Sequence, residues 1–272
     1  MYCEQCGGAF SDNLRFCPQC GMPRQGMPVA ASPPSPVRAP MPAPPPVIQT
    51  AGAYKSPSAL ARAIVILLVI GAVFHVIGIV STMAQMSLLS NVKSGVTLGP
   101  GAASANDLRQ QIIGAVQVLV FIVTAVLFLT WISRVYRNLT ALSTREPTHS
   151  PGWAVGAWFV PFLNLFRPVQ IVKEVWIYSD PTATEYGGLG IAPSAPPLIG
   201  WWWGLYLVTG FFGQITFRLS ASAKTIDDLL ASSTLSIVGD VLGIPLTILA
   251  FQVVRKLSAR QDAAARGEPV GV

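Results

Sequence analysis

A chain of 272 residues has room for one ordinary domain and an appendage, and this one is charged at only 11% of its positions, with a mean hydropathy of +0.52. A soluble domain carries about 25% charged residues to cover its surface, so a fully water-solvated fold is excluded and lipid has to cover part of this one. The net charge of +6 and pI near 9.4 do not mark a nucleic-acid binder, because the basic residues sit mostly beside apolar segments, where they set membrane orientation.

Residues 1–21 hold a Cys3-x2-Cys6 pair and, ten residues on, a Cys17-x2-Cys20 pair, each followed directly by glycine, Gly7 and Gly21. A Cys-x-x-Cys turn presents two thiolates from one knuckle, glycine permits the tight backbone after it, and tetrahedral zinc takes four such ligands. The module reads as a zinc ribbon with Cys3, Cys6, Cys17 and Cys20 as ligands. Rubredoxin-like iron sites use similar knuckles, and two disulfides are a further alternative that a reducing cytoplasm disfavours. Four cysteines leave no open coordination position, so the metal's expected work is to fold a module too short to bury its own core. The first long apolar run begins near Ala59, too late for a signal peptide.

Residues 22–58 contain 11 prolines in 37 positions, including Pro44-Pro45-Pro46. Proline fixes φ and removes a donor, so the stretch predicts an extended or disordered tether.

Four segments then have the length and apolarity of membrane helices, about 20 residues for a hydrocarbon layer of about 30 Å: 62–83, 112–133, 198–217 and 235–254, the last containing Pro245. A fifth apolar stretch, Trp153 to Phe166, is shorter, broken by Pro161 and followed by Arg167. With 168–179, which mixes apolar and charged residues like a helix on a membrane surface, it reads as a re-entrant or interfacial segment over 153–179. Residues 258–272 read as a cytoplasmic tail.

Lysines and arginines decide the topology. With four spans and the N-terminus inside, 14 basic residues face the cytoplasm and four (Lys93, Arg109, Arg218, Lys224) face out. A fifth crossing at Trp153 reduces the split to 10 against eight, which the positive-inside bias rejects. Both termini are therefore expected in the cytoplasm, with the protein in the plasma (cytoplasmic) membrane. Trp131 and Trp201-Trp202-Trp203 fall at the expected cytoplasmic interface, where indole rings are favoured.

Ionisable and amide side chains inside spans are costly and are functional hypotheses by default. His75, Gln117, Gln214 and Asp240 fall near one depth in the outer half, counted at about 1.5 Å per residue, and read either as a polar site between helices or as hydrogen-bonding glue. Asn164 and Arg167 form a second candidate. Asn164 is placed to satisfy carbonyls freed by Pro161, and Arg167 to meet an anion or a lipid headgroup. No nucleophile elbow, phosphate-cradling loop or helical His-Glu metal motif is present.

The stretch from Ser150 through Trp153, Trp158, Pro161 and Asn164 to Pro168, with Gly200-Trp201-Trp202-Trp203 and Arg134-Val135-Tyr136-Arg137-Asn138-Leu139, resembles the domain of unknown function 4328 family of bacterial membrane proteins over roughly residues 60–257. The resemblance implies an architecture and a bacterial membrane location, with an N-terminal zinc ribbon on a proline-rich tether as a familiar accompaniment. It implies no activity. The sequence thus predicts an all-α membrane protein: a zinc ribbon (1–21), a linker (22–58), a four-span domain (59–257) and a tail. Its expected role is a non-enzymatic adaptor or sensor whose ribbon engages a cytoplasmic protein. A small transporter or channel component using the outer polar cluster is the alternative, and membrane-embedded catalysis ranks third.

Overall fold

The computed structural model describes residues 2–9, 11, 14, 16–21, 53–143, 145–180 and 194–268. It divides into two units, residues 1–49 and 50–272. The expected tether lies outside the described residues from 22 to 52.

The second unit is helical throughout its described part: α1 (Ser58–Lys93), α2 (Ala102–Arg137), α3 (Leu139–Leu142), α4 (Pro151–Gly156), a 3-10 turn (Leu163–Leu165), α5 (Arg167–Tyr178), α6 (Pro197–Ser222) and α7 (Ile226–Ala265). Pro57, Pro151 and Pro197 stand at helix starts, where the missing donor costs nothing. α7 opens with a capping box: Thr225 Oγ1 accepts from the Asp228 N–H at 3.1 Å, and Asp228 returns a bond from the Thr225 N–H at 3.0 Å. Hydrogen bonds from the Lys224 backbone, then the Thr225 side chain and backbone, hold the Asp228 carboxyl below its ordinary value.

Three helices among the described residues are long and apolar enough to cross a membrane: α1, α2 with the turn of α3, and α7. Protein buries at most 17% of the most apolar stretch of each, so hydrocarbon has to solvate the remainder. At about 1.5 Å per residue, α1 and α2, with 36 residues each, and α7, with 40, outrun the hydrocarbon layer and project beyond it. The segment predicted at 198–217 lies inside α6, whose 26 residues include three tryptophans, Tyr206 and Gln214, and which is not one of those three helices.

α1 packs against both α2 and α7, and α6 packs against α7. The dense core gathers at one end of the bundle. There Trp131, Ile132, Val135 and Tyr136 of α2, Ile171, Val172 and Val175 of α5, Ile199 of α6, and Val254 and Leu257 of α7 are all buried. Aromatic rings close that end: Phe128 lies 5.2 Å from Trp158 and 6.0 Å from Trp202, and Trp203 stacks on Tyr206 at 5.0 Å.

The 168–179 helix turns Ile171, Val172 and Val175 into the protein core. α7 runs past the span predicted at 235–254 to Ala265 and buries Ser258 and Gln261. The segment from Pro151 to Phe166 is broken into short turns and leaves Phe159, Phe162 and Phe166 exposed.

Candidate functional site

In the first unit each knuckle is closed by the glycine after it: the Gly7 N–H donates to the Cys3 carbonyl at 2.8 Å, and the Gly21 N–H to that of Cys17 at 2.9 Å. Both glycines hold φ close to +70°, where other L-residues are strained. An antiparallel bridge pairs Tyr2 with Ala9 and folds the first knuckle back. All four Sγ atoms then lie within 4.8 Å of one another, Cys3 to Cys20 at 3.6 Å and Cys6 to Cys17 at 3.7 Å. Sulfurs at about 2.3 Å from a tetrahedral ion stand about 3.8 Å apart, so this donor set fits one four-thiolate metal. Backbone hydrogen bonds from Gln5, then Cys6, pull the Cys3 thiol down to about 7, and bonds from Gln19 and Cys20 lower that of Cys17. The thiolate is the form that binds metal, so the knuckles prepare their ligands before an ion arrives.

In the second unit α1, α2 and α7 bring together three of the four intramembrane polar residues. His75 Nδ1 meets Asp240 Oδ1 at 2.8 Å; Gln117 Nε2 donates to the Phe74 carbonyl at 3.2 Å and to Asp240 Oδ1 at 3.4 Å. Two glycines make the approach possible. A Cβ on Gly78 would lie 2.6 Å from Asp240 Oδ2, and one on Gly243 would lie 2.5 Å from His75 Cε1. Gln214 stands apart, on an exposed position of α6 and outside this hydrogen-bonded set. About two to three turns toward the α1–α2 loop the polar contact continues: Arg109 Nε donates to Ser81 Oγ at 2.9 Å, Arg109 Nη2 to Asn106 Oδ1 at 2.7 Å, and Gln85 Nε2 to Ser233 Oγ at 3.1 Å.

Asn164 and Arg167 are not brought together. The Leu165 carbonyl receives its bond from Trp203 Nε1 at 3.0 Å, while Asn164 Oδ1 is buried with no hydrogen-bond donor among the described residues. Arg167 instead donates to His149 Nε2. A guanidinium only donates, so His149 carries its proton on Nδ1 and passes a bond to Glu174 Oε2 at 3.1 Å. Glu174 also accepts from Tyr136 Oη at 3.1 Å and from the Thr148 N–H. This chain of Arg167, His149, Glu174 and Tyr136 was not singled out in the sequence. The available signal was the helical spacing of Glu174 with Pro168, Ile171, Val172 and Val175, which puts the carboxylate on the buried face of α5. Burial, more than the nearby Glu174 charge, pushes the Tyr136 hydroxyl above its ordinary value. A second buried network ties the same end: Gln261 Nε2 donates to the Val135 carbonyl at 2.8 Å, Asn138 Nδ2 donates to Gln261 Oε1 at 3.0 Å, and Trp131 Nε1 donates to Ser258 Oγ at 2.9 Å.

Compared with known families, residues 94–259 match the one described as Domain of unknown function (DUF4328). The chain belongs to that family. The DUF4328 stretch covers α2 to most of α7, including Gln117, His149, Glu174 and Asp240, and it leaves out the cysteine module, α1 and His75. No curated protein and no solved structure matches the chain.

Proposed function

We propose that this DUF4328 protein is a non-enzymatic four-span membrane protein with both termini in the cytoplasm, whose N-terminal zinc ribbon engages a cytoplasmic protein partner. The observation that carries the reading is the convergence of four cysteine sulfurs within 4.8 Å. Four thiolates fill a tetrahedral ion's coordination shell, so the metal folds the module and takes no substrate. A reducing cytoplasm keeps those thiols available, and the basic residues, 14 on the same side as the N-terminus against four opposite, favour that orientation. α6 is the fourth span in this arrangement.

The full-length protein is expected to purify with one zinc per chain and with a protein partner, and the Cys6→Ser/Cys17→Ser variant to lose both. Partner lists that are identical for the two would overturn the reading. For topology, an impermeant thiol reagent added to intact cells should label Cys placed at Ser94 in a cysteine-free background and spare Cys placed at Thr140. Reversed labelling would reject the arrangement.

A second reading, proton-linked transport, is favoured by the His75–Asp240 contact at 2.8 Å among helices that lipid has to surround. Reconstituted protein would then move protons or a coupled solute across vesicles, and Asp240→Asn would abolish the flux. Absence of any flux from the wild type removes this reading and leaves the first untouched.

A further inference from the structure

Beside the cytoplasmic-type aromatic end, α2, α4 and residues 53–55 enclose an open groove of about 800 Å³. Its two halves differ in chemistry. Val126 and Leu129 of α2 and Val155 of α4 line the lower part, while Arg134 and Arg137, two and three turns along α2, line the upper part with Lys55. Val126 and Arg137 stand about 16 Å apart along the helix axis, the span from upper acyl chain to headgroup at a membrane interface. Asn138 holds the third wall in register: its side chain accepts from the Lys55 N–H at 3.1 Å and donates to the Lys55 carbonyl at 2.9 Å, which fixes this lysine at the rim.

Among the described residues these cations have no acidic partner. The ion pairs among the described residues engage Lys93, Arg260, Arg266 and the two histidines, and none of Lys55, Arg134 and Arg137. Arg134 donates only to the Ser56 carbonyl, at 3.4 Å, and no carboxylate lines the groove. Three positive charges above an apolar slot, on a helix apolar enough to cross a bilayer, complement a molecule with a negative head and a hydrocarbon tail.

We propose that this groove binds an anionic phospholipid, with the phosphate between Arg134, Arg137 and Lys55 and an acyl chain along Val126, Leu129 and Val155. Guanidinium groups form paired hydrogen bonds with phosphate oxygens that a zwitterionic headgroup offers less favourably, because its own cation competes. The inference requires only that α2 crosses the membrane and holds for either orientation, so it stands apart from the proposed topology and from the zinc ribbon.

The test is native mass spectrometry and thermal melting of the full-length protein in detergent, titrated with phosphatidylglycerol, phosphatidylcholine or inorganic phosphate. The wild type should retain phosphatidylglycerol and melt higher with it, with little response to phosphatidylcholine or phosphate. Arg134→Gln/Arg137→Gln should lower the phosphatidylglycerol affinity about tenfold or more, from about 1 kcal/mol per interfacial cation, and Arg134→Lys/Arg137→Lys should keep most of it. Leu129→Trp, which fills the apolar half and leaves the cations in place, should weaken retention as well and covers the case in which the glutamine pair fails to fold. Equal binding of the two lipids by the wild type, or undiminished preference in both the glutamine and tryptophan variants, overturns the proposal. So does a response to inorganic phosphate that matches the lipid's, since the groove would then be a soluble-anion site.

Discussion

Gly243 has no room for a methyl group, because a Cβ there would lie 2.5 Å from the His75 ring, yet Gly239, one turn earlier on α7, would meet nothing within 4 Å. Both sit in a helix interior, where alanine is favoured over glycine by up to about 1 kcal/mol. The two substitutions should therefore differ in sign. Gly239→Ala is expected to raise the melting temperature slightly, and Gly243→Ala to lower it through an overpacking cost of about 1–3 kcal/mol. Equal shifts in a detergent melt would show that His75 does not rest against Gly243. Counting residues from the membrane edge placed His75, Gln117 and Asp240 at one depth and also placed Gln214 there. Depth is legible in a sequence because helix rise is constant. The direction a side chain faces depends on how the helices rotate against one another, and for Gln214 that left it exposed.

At the scale of elements, α5 shows that an amphipathic pattern does not say what takes up the apolar face. Its apolar residues alternate with Gln170, Lys173 and Glu174 as in an interfacial helix, but Glu174 lies on the buried face and is consumed by Tyr136, Thr148 and His149. Glutamine at 174 would turn one accepting oxygen into a donor facing other donors, a cost of about 1–3 kcal/mol for a buried unsatisfied group. Glu174→Gln should lower the melting temperature while Lys173→Gln, on the exposed face, leaves it nearly unchanged; equal effects would remove the network from the account. A further tie joins the start of α1 to the end of α7, where Asp262 accepts from Tyr54 Oη at 2.6 Å and from Ser58 Oγ. Burial pushes the Asp262 carboxyl up, but the hydrogen bonds from Ser58, Tyr54 and Ser56 and the Arg266 charge outweigh it and hold it below its ordinary value. A carboxyl depressed in the folded state adds stability above its unfolded value, near 3.9, and that stability is lost as pH falls through the folded value. The gap in melting temperature between wild type and Asp262→Asn should thus be full at pH 7 and shrink below about pH 4. A gap independent of pH would mean that the tie works through packing alone.

For the whole molecule, the division between what the family match covers and what the bundle needs is informative. The match begins at residue 94, after α1, although α1 packs on both α2 and α7, buries Ile64, Ser81 and Thr82, and supplies the histidine that faces Asp240. Apolar length made α1 readable as a span, but not as the helix that joins α2 to α7, because partner choice among apolar helices is written in small residues and scattered polar contacts and not in hydropathy. The cysteine module, by contrast, belongs to a separate unit ending at residue 49. Two truncations should therefore behave oppositely. A chain starting at residue 50 should insert and melt within about a degree of the full-length protein. A chain starting at residue 94 should leave Asp240 without His75 in the membrane, where an unpaired charge costs about 2.5–3.5 kcal/mol on insertion scales, and should expose the α1-facing sides of α2 and α7. It is expected to melt much lower or to aggregate on extraction, and Asp240→Leu in that shortened chain should restore part of the loss by removing the stranded carboxylate. Full stability of the chain from residue 94 would mean that α1 is an anchor laid beside the bundle and not a member of it.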